Sequence, residues 1–357
     1  MKRLLGPLLL VVLVIGVGAA IYLSATQQLA LNKVVTVKGL IGSEKEAFFT
    51  DPRVVDALRK GGIVVQFDKA GSRTIATDPK LSTYDFAFPA GVPAATKLRQ
   101  NPNFKKAYDE FFTPMAIASW ETIADILVAN GIAQDKGGYY TFDMAKYLQL
   151  VADDKRWSTL EKVGADYNVN KSILISSTDV TQSNSAAMYL SLASYVANSN
   201  NVVQSDADIQ KVMPIVTPLF LKQGFTEYSS EVPFQDFITM GMGKAPMVMI
   251  YEAQYIEQAA QPNGISSDMV LMYPEPTIYS KHTLIALTAN GEKLGELLQT
   301  DPDLQRLAVE NGFRNANTDL FKQVKKDRKL TLPDTLVDVI DPPSFENLEK
   351  MINLIKP

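Results

Sequence analysis

Short β-branched runs alternate with capped, amphipathic helical segments from Lys33 onward, and this alternation restricts the chain to architectures in which helices cover a sheet. Residues 34–37 read as a strand, followed by a turn over 39–42. Ser43 then caps a helix, with Glu46 as its reciprocal partner. A second helix starts at Asp51 with Pro52 at its first position and stops at Gly61. Residues 63–67 and 84–88 are further strands, and 115–118 form one that leaves this first unit. The layout then repeats: a strand over 173–176 is followed by a helix over 184–198, whose Ala186, Tyr189, Leu190 and Ala193 share one face. Ser205 opens a helix that Pro214 bends or restarts. A short helix over 234–240 and a strand over 247–251 lead to a helix at Glu252. Residues 270–273 run to Pro274 and Pro276, and 284–287 continue as a strand. The expected fold class is therefore α/β, not a sandwich or a bundle.

Lys2 and Arg3 precede an uncharged, mostly apolar run over residues 4–23. Such a run is about 30 Å long as a helix and can cross a bilayer. The basic start belongs on the cytoplasmic side, so residues after Ser24 are expected outside it. Residues 1–25 are read as a signal peptide or a membrane anchor, because small residues at Gly18, Ala19, Ala20, Ser24 and Ala25 permit cleavage. The remaining stretch is long enough for more than one hydrophobic core.

Composition removes several function classes. The chain has no cysteine, which excludes a lipid-modified cysteine, disulfides, thiolate metal sites and thiol catalysis. A net charge of −4 offers no general attraction to nucleic acid, and the cluster Lys325, Lys326, Arg328, Lys329 reads as a solvated surface. His282 is the only histidine, so no two-histidine metal site exists; it is expected at the surface or in a hinge. No serine stands in a Gly-x-Ser-x-Gly elbow, and Gly39 and Gly42 are too few for a phosphate or dinucleotide loop. These absences point away from an enzyme and from any cofactor.

The polar residues that remain sit where strands end and helices begin. In open α/β sheets ligands bind at that edge, because unpaired N–H groups and helix N-termini point at it. Ser43 follows the first strand, Ser72 and Arg73 the second, and Thr178, Asp179, Ser183, Asn184 and Ser185 the strand ending at Ser176. Arg73 suits either a ligand oxyanion or a neighbouring acid such as Asp85.

The order of short motifs resembles the type II extracytoplasmic solute-binding proteins, in the branch with molybdate-, sulfate- and phosphate-like binders. The motifs run from VTVKGLIGSEKE through DKAGSRTIAT, YDFAF, STDVTQSNSAAMYLSLASY, GKAPMVMIYEAQ and MYPEPTIYSKHTLIAL to DPDLQRLAVENGFR. The resemblance implies two lobes joined by paired hinge strands, with a ligand cleft between them. Lobe one would be residues 33–118 plus 275–357, and lobe two 119–274. It also implies ligand contacts at Ser43, Ser72, Arg73, Asp179 to Ser185, Tyr251, Glu252 and Tyr279, and capture of a small-molecule or anionic solute for an ABC transporter permease. With Glu44, Asp179 and Glu252 near these loops, either a solute with a cationic or hydroxyl-rich part fits better than a plain oxyanion, or these acids point away. A membrane-tethered sensing or scaffold module that has kept the fold and contacts a protein partner is the second reading. Residues 120–170 exceed what this fold needs.

Overall fold

The computed structural model describes residues 34–355 apart from 165, 166 and 225. The expected membrane segment lies outside the described residues, among which no helix is long and apolar enough to cross a membrane. Eight strands follow one another in the order β2 (Ile63–Lys69), β1 (Val35–Ile41), β3 (Phe86–Phe88), β9 (Thr277–Ala286), β4 (Lys106–Trp120), β8 (Met269–Glu275), β6 (Tyr140–Asp143) and β5 (Ala133–Asp135). Two more, β7 (Met247–Tyr251) and β10 (Val339–Ile340), pair with β4 and β9. Because β1 pairs parallel with both β2 and β3, helical crossovers must cover that part of the sheet.

The ladder is continuous because one long strand serves two halves. Residues 106–114 of β4 pair with β9, whereas 115–120 pair with β7 and β8. The two lobes accordingly share strands and are distinguished by their cores. Val37, Ile41, Phe48, Phe88, Phe111 and Phe313 belong to one core. Ile117, Trp157, Tyr189, Val212 and Met249 belong to a larger one. Burying side chains of this size contributes roughly 1.5–3 kcal/mol each, which is why two such clusters can each hold a lobe together.

Several local expectations change. The Ser43–Glu46 capping box does not form: Ser43 begins a short 3-10 turn, Glu46 begins the helix Glu46–Thr50, and the Glu46 carboxylate turns to Lys69 instead. The Asp51 cap does form, its carboxylate accepting from Arg53 N at 2.9 Å. Residues 173–176 touch the sheet only through a bridge at Ser176 to Val248. Pro214 does not restart a helix, since Asp206–Leu221 runs through it. It lies on the solvent side, where water can take the carbonyl it leaves free.

The segment 120–170 gains a structural account. It adds the β5–β6 hairpin to the sheet edge beside β8, and the helix Met144–Ala152 brings Tyr147 to Tyr189 at 3.1 Å. The end of the chain, expected with lobe one, also contributes to the larger core. Phe321, Val324, Leu348, Met351, Ile352 and Ile355 join the larger core, because the apolar face of the helix Phe345–Ile355 packs on the helices Asp206–Leu221 and Asn184–Ala197.

Candidate functional site

A cleft of about 240 Å³ opens between the two cores. The turn after β1 supplies Ser43, Glu44 and Glu46, the helix Glu231–Met240 supplies Glu231 and Phe234, and Phe313 comes from the turn after the helix Pro302–Glu310. Tyr251 ends β7, and Glu257 lies on the following helix Glu252–Ala259. Among the described residues no lysine or arginine lines this mouth. Glu44 is paired with Lys45, and Glu46 with Lys69 at 2.5 Å. Glu231 and Glu257 make no salt bridge among the described residues. Burial, then Glu231, raise the Glu257 carboxyl above its ordinary range, and Arg328 offsets this only in part. The mouth therefore carries uncompensated negative charge.

Glu44 is positioned by a buried cluster that sequence reasoning missed. Lys45 is fully buried; its ammonium donates to Glu44 and to His282 Nδ1 at 3.0 Å, and lies 4.9 Å from the centre of the Phe88 ring. Burial lowers the Lys45 pKa, an effect that Glu44 partly opposes. His282 is also fully buried, contrary to the surface position expected of it as one of two alternatives. Burial, then Lys45, hold its pKa well below the ordinary value, so the imidazole is neutral and accepts from the ammonium. Its Nε2 is buried without a partner, and its ring meets Phe313 edge-on at 5.1 Å. The signal was available in the strand period: Ile278, Ser280, His282, Leu284 and Ala286 alternate on one face of β9, with exposed Lys281 on the other.

Most of the expected contacts lie along a closed seam beside the mouth. Ala90, just after β3, is its centre: its N–H donates to Ser72 Oγ at 2.8 Å, and its carbonyl accepts from Asn184 Nδ2 at 3.2 Å and from Ser280. Asn184 also donates to the Tyr251 hydroxyl at 3.0 Å. Burial, then Glu44, raise the Tyr251 pKa, so this hydroxyl stays protonated. Thr178, Ser183 and Ser185 satisfy one another at 2.8 and 2.9 Å. Asp179 accepts from Thr181 N and Oγ1, both at 2.7 Å. Arg73 does not pair with Asp85; Glu349 takes its fork, and Asp85 accepts from Lys38 N and Thr288.

Glu252 and Tyr279 lie at the strand crossing. Arg314 clasps Glu252 through two 2.7 Å bonds, Tyr273 donates to the same carboxylate at 2.5 Å, and all three side chains are buried. The Arg314 guanidinium also donates to the carbonyls of Pro333 and Asp334 at 2.8 Å. Tyr279 packs on Phe112 with ring centres 5.0 Å apart. Of the residues expected to meet a solute, Ser43 and Tyr251 line the mouth, with the Tyr251 hydroxyl bonded to Asn184, and the others are engaged with protein partners.

No family model matches the sequence, and no curated relative does either. Solved structures do. The sulfate-binding protein SubI from Mycobacterium tuberculosis is 14% identical, with a TM-score of 0.52 over 88% of this chain and 96% of that one. The periplasmic binding protein AfuA from Actinobacillus pleuropneumoniae, with bound fructose-6-phosphate, is 12% identical with a TM-score of 0.54, over 89% and 97%. Iron-bound HitA from Pseudomonas aeruginosa is 10% identical with a TM-score of 0.55, over 90% and 100%. At these identities the likeness shows the fold, and the chain has the two-lobed fold of the type II periplasmic binding proteins.

Proposed function

We propose that this chain captures a small organic solute in the mouth between its lobes, outside the cytoplasmic membrane, and presents it to an ABC-type transporter. The observation that carries this reading is the acid-lined cleft, about 240 Å³ in a fold whose solved neighbours include sulfate-, sugar-phosphate- and iron-bound or iron-binding proteins. That volume is just under the range of about 300–1,000 Å³ usual for small-molecule sites, which suits a small solute. Export rests on Lys2, Arg3 and the apolar run that follows them.

The solute class follows from charge. An oxyanion draws on lysine, arginine or free N–H donors, and among the described residues no cationic side chain lines the mouth, which favours a cationic over an anionic solute. Among the described residues no group of three or more histidine, aspartate or glutamate side chains is arranged to hold a metal ion. A solute bearing an amine or guanidinium, with hydroxyl groups beside it, matches Glu231 and Glu257 for charge. Ser43 serves its hydroxyls, and Phe234 and Phe313 line the same cleft. In this reading the groups act by binding alone, without a nucleophile or base.

Native mass spectrometry of protein purified without refolding identifies a retained solute, and calorimetric titration with that molecule or a panel of organic amines checks the class. A panel in which sulfate or phosphate binds and amines do not would reject it. The sealed seam favours one other reading, a membrane-tethered sensing or scaffold module whose lobes are held together by their own side chains. Titrations silent for every small molecule would support that reading instead.

A further inference from the structure

One guanidinium holds three separate parts of the chain. Arg73 belongs to the helix Ser72–Thr77 that follows β2, where Ile75, Ala94 and Leu98 form a third, smaller core on the other face of the first strands. Its Nη2 donates to Glu349 Oε2 at 2.6 Å and its Nε to Oε1 of the same carboxylate. Its Nη1 donates to the carbonyls of Thr181 at 2.6 Å and Val180 at 3.3 Å, in the loop leading to the helix Asn184–Ala197 of the larger core. That loop is itself held, since Asp179 binds Thr181. Arg73 is 16% exposed and Glu349 26%, so water competes weakly for the pair.

Glu349 lies on the helix Phe345–Ile355, which straddles the lobes. Its inner face is in the larger core, Lys350 reaches Asp206 at 2.6 Å and Asn347 reaches the Val203 carbonyl at 3.4 Å, while Phe345 at its start packs on the smaller core around Leu98. The backbones beside Arg73 are in direct contact as well. A Cβ on Gly71 would stand 2.6 Å from the Gln182 carbonyl, and one on Gly91 would stand 2.9 Å from Asn184 Oδ1. At these two glycines the lobes are in contact, whereas the mouth beside the seam is open.

We infer that Arg73 and Glu349 form a clasp that keeps the two lobes closed on one edge without any solute, so that solute enters and leaves through the acidic mouth on the other. The bonds involved are all between groups of the protein, so the clasp is independent of which solute the mouth takes.

The absence of cysteine allows a clean distance measurement. Lys60→Cys and Lys155→Cys, both at exposed positions on opposite lobes, are introduced into the full chain and spin-labelled, and their separation is measured by pulsed electron resonance after exhaustive dialysis. The expected result is one narrow separation for the dialysed parent, with a second, longer population appearing in Arg73→Ala and in Glu349→Gln. If Arg73→Ala fails to fold, Arg73→Lys carries the comparison, since an ammonium keeps the charge but cannot span Glu349 and two carbonyls in one plane. A dialysed parent that already shows the long separation overturns the clasp. So does an unchanged distribution in Arg73→Lys and Glu349→Gln. Because no solute enters the measurement, either result leaves the proposed solute class to be judged by titration.

Discussion

The two edges of the interlobe space are built from the same kinds of residue and end in opposite states. Along the seam, Ser72, Asn184, Ser280 and the Ala90 peptide satisfy one another, and Arg73 is saturated by a carboxylate and two carbonyls. At the mouth, Glu231 and Glu257 face the cleft without a salt bridge among the described residues. The difference lies in donors. The seam has amide, hydroxyl and guanidinium groups to match its acceptors, while the mouth has an excess of carboxylates. A polar edge closes on itself when donors and acceptors balance, and stays available to a ligand when they do not.

The largest expected effect separates both edges from the scaffold that carries them. Glu252→Gln leaves the buried Arg314 guanidinium unpaired and should lower unfolding free energy by about 3–5 kcal/mol in urea titrations. Solute affinity per folded molecule should be nearly unchanged, because Glu252 lies outside the mouth. A loss of affinity with full stability would mean that the strand crossing belongs to the binding site.

Asn184→Ala tests the seam. Removing the amide takes the donor from the Tyr251 hydroxyl and leaves the Ala90 carbonyl with Ser280 alone, which should cost about 1–3 kcal/mol of stability in the solute-free protein. Stability equal to the parent's would mean that this bond does not hold the seam.

Glu257→Gln tests the mouth, and should weaken binding of an organic cation about tenfold, or about 1.4 kcal/mol. The pH dependence sharpens the same point. Burial raises the Glu257 pKa, so its charge, and the cation affinity it supports, is present above that raised pKa and lost as pH falls through it. The sign for folding is opposite: protonation favours the folded state, so Glu257 destabilises the empty protein as pH rises from its unfolded pKa through its folded one. Glu257→Gln should therefore be slightly more stable than the parent at neutral pH, by under about 1 kcal/mol given its partial exposure. Titrations and melts at pH 5 and 7.5 check both signs.

The smallest effect belongs to Ser43→Ala. Ser43 is exposed and caps no helix through its side chain, so the melt should shift by less than about 0.5 kcal/mol. Any larger loss in calorimetric affinity assigns the hydroxyl to the solute.

Local patterns carried the elements well wherever one residue type has one mechanical meaning. Asp51–Pro52 opened a helix and 247–251 formed a strand as read. The start of the helix at Asn184 was equally legible. Ser43 with Glu46 misled, because a nearby Lys69 drew the carboxylate away from the cap. Residues 173–176 look like a buried strand but lie where only one bridge to β7 is available. The candidate site was legible as a set of polar strand ends and illegible as a partition between mouth and seam. Arg73 shows why: Glu349 lies far along the chain, and no local pattern announces that the last described helix crosses back to it.

What this sequence determines by itself is the alternation of strand and helix, the absence of thiol and paired-histidine chemistry, and the placement of polar side chains at strand ends. Those follow from short-range periodicity and composition, which neighbours in space cannot alter. Tertiary structure alone decided that Lys45 and His282 are buried behind Glu44, that the helix Phe345–Ile355 packs on the larger core, and which carboxylates found partners. Whether a charge is compensated depends on groups within a few ångströms, and the fold brings those together from positions that the chain order keeps far apart.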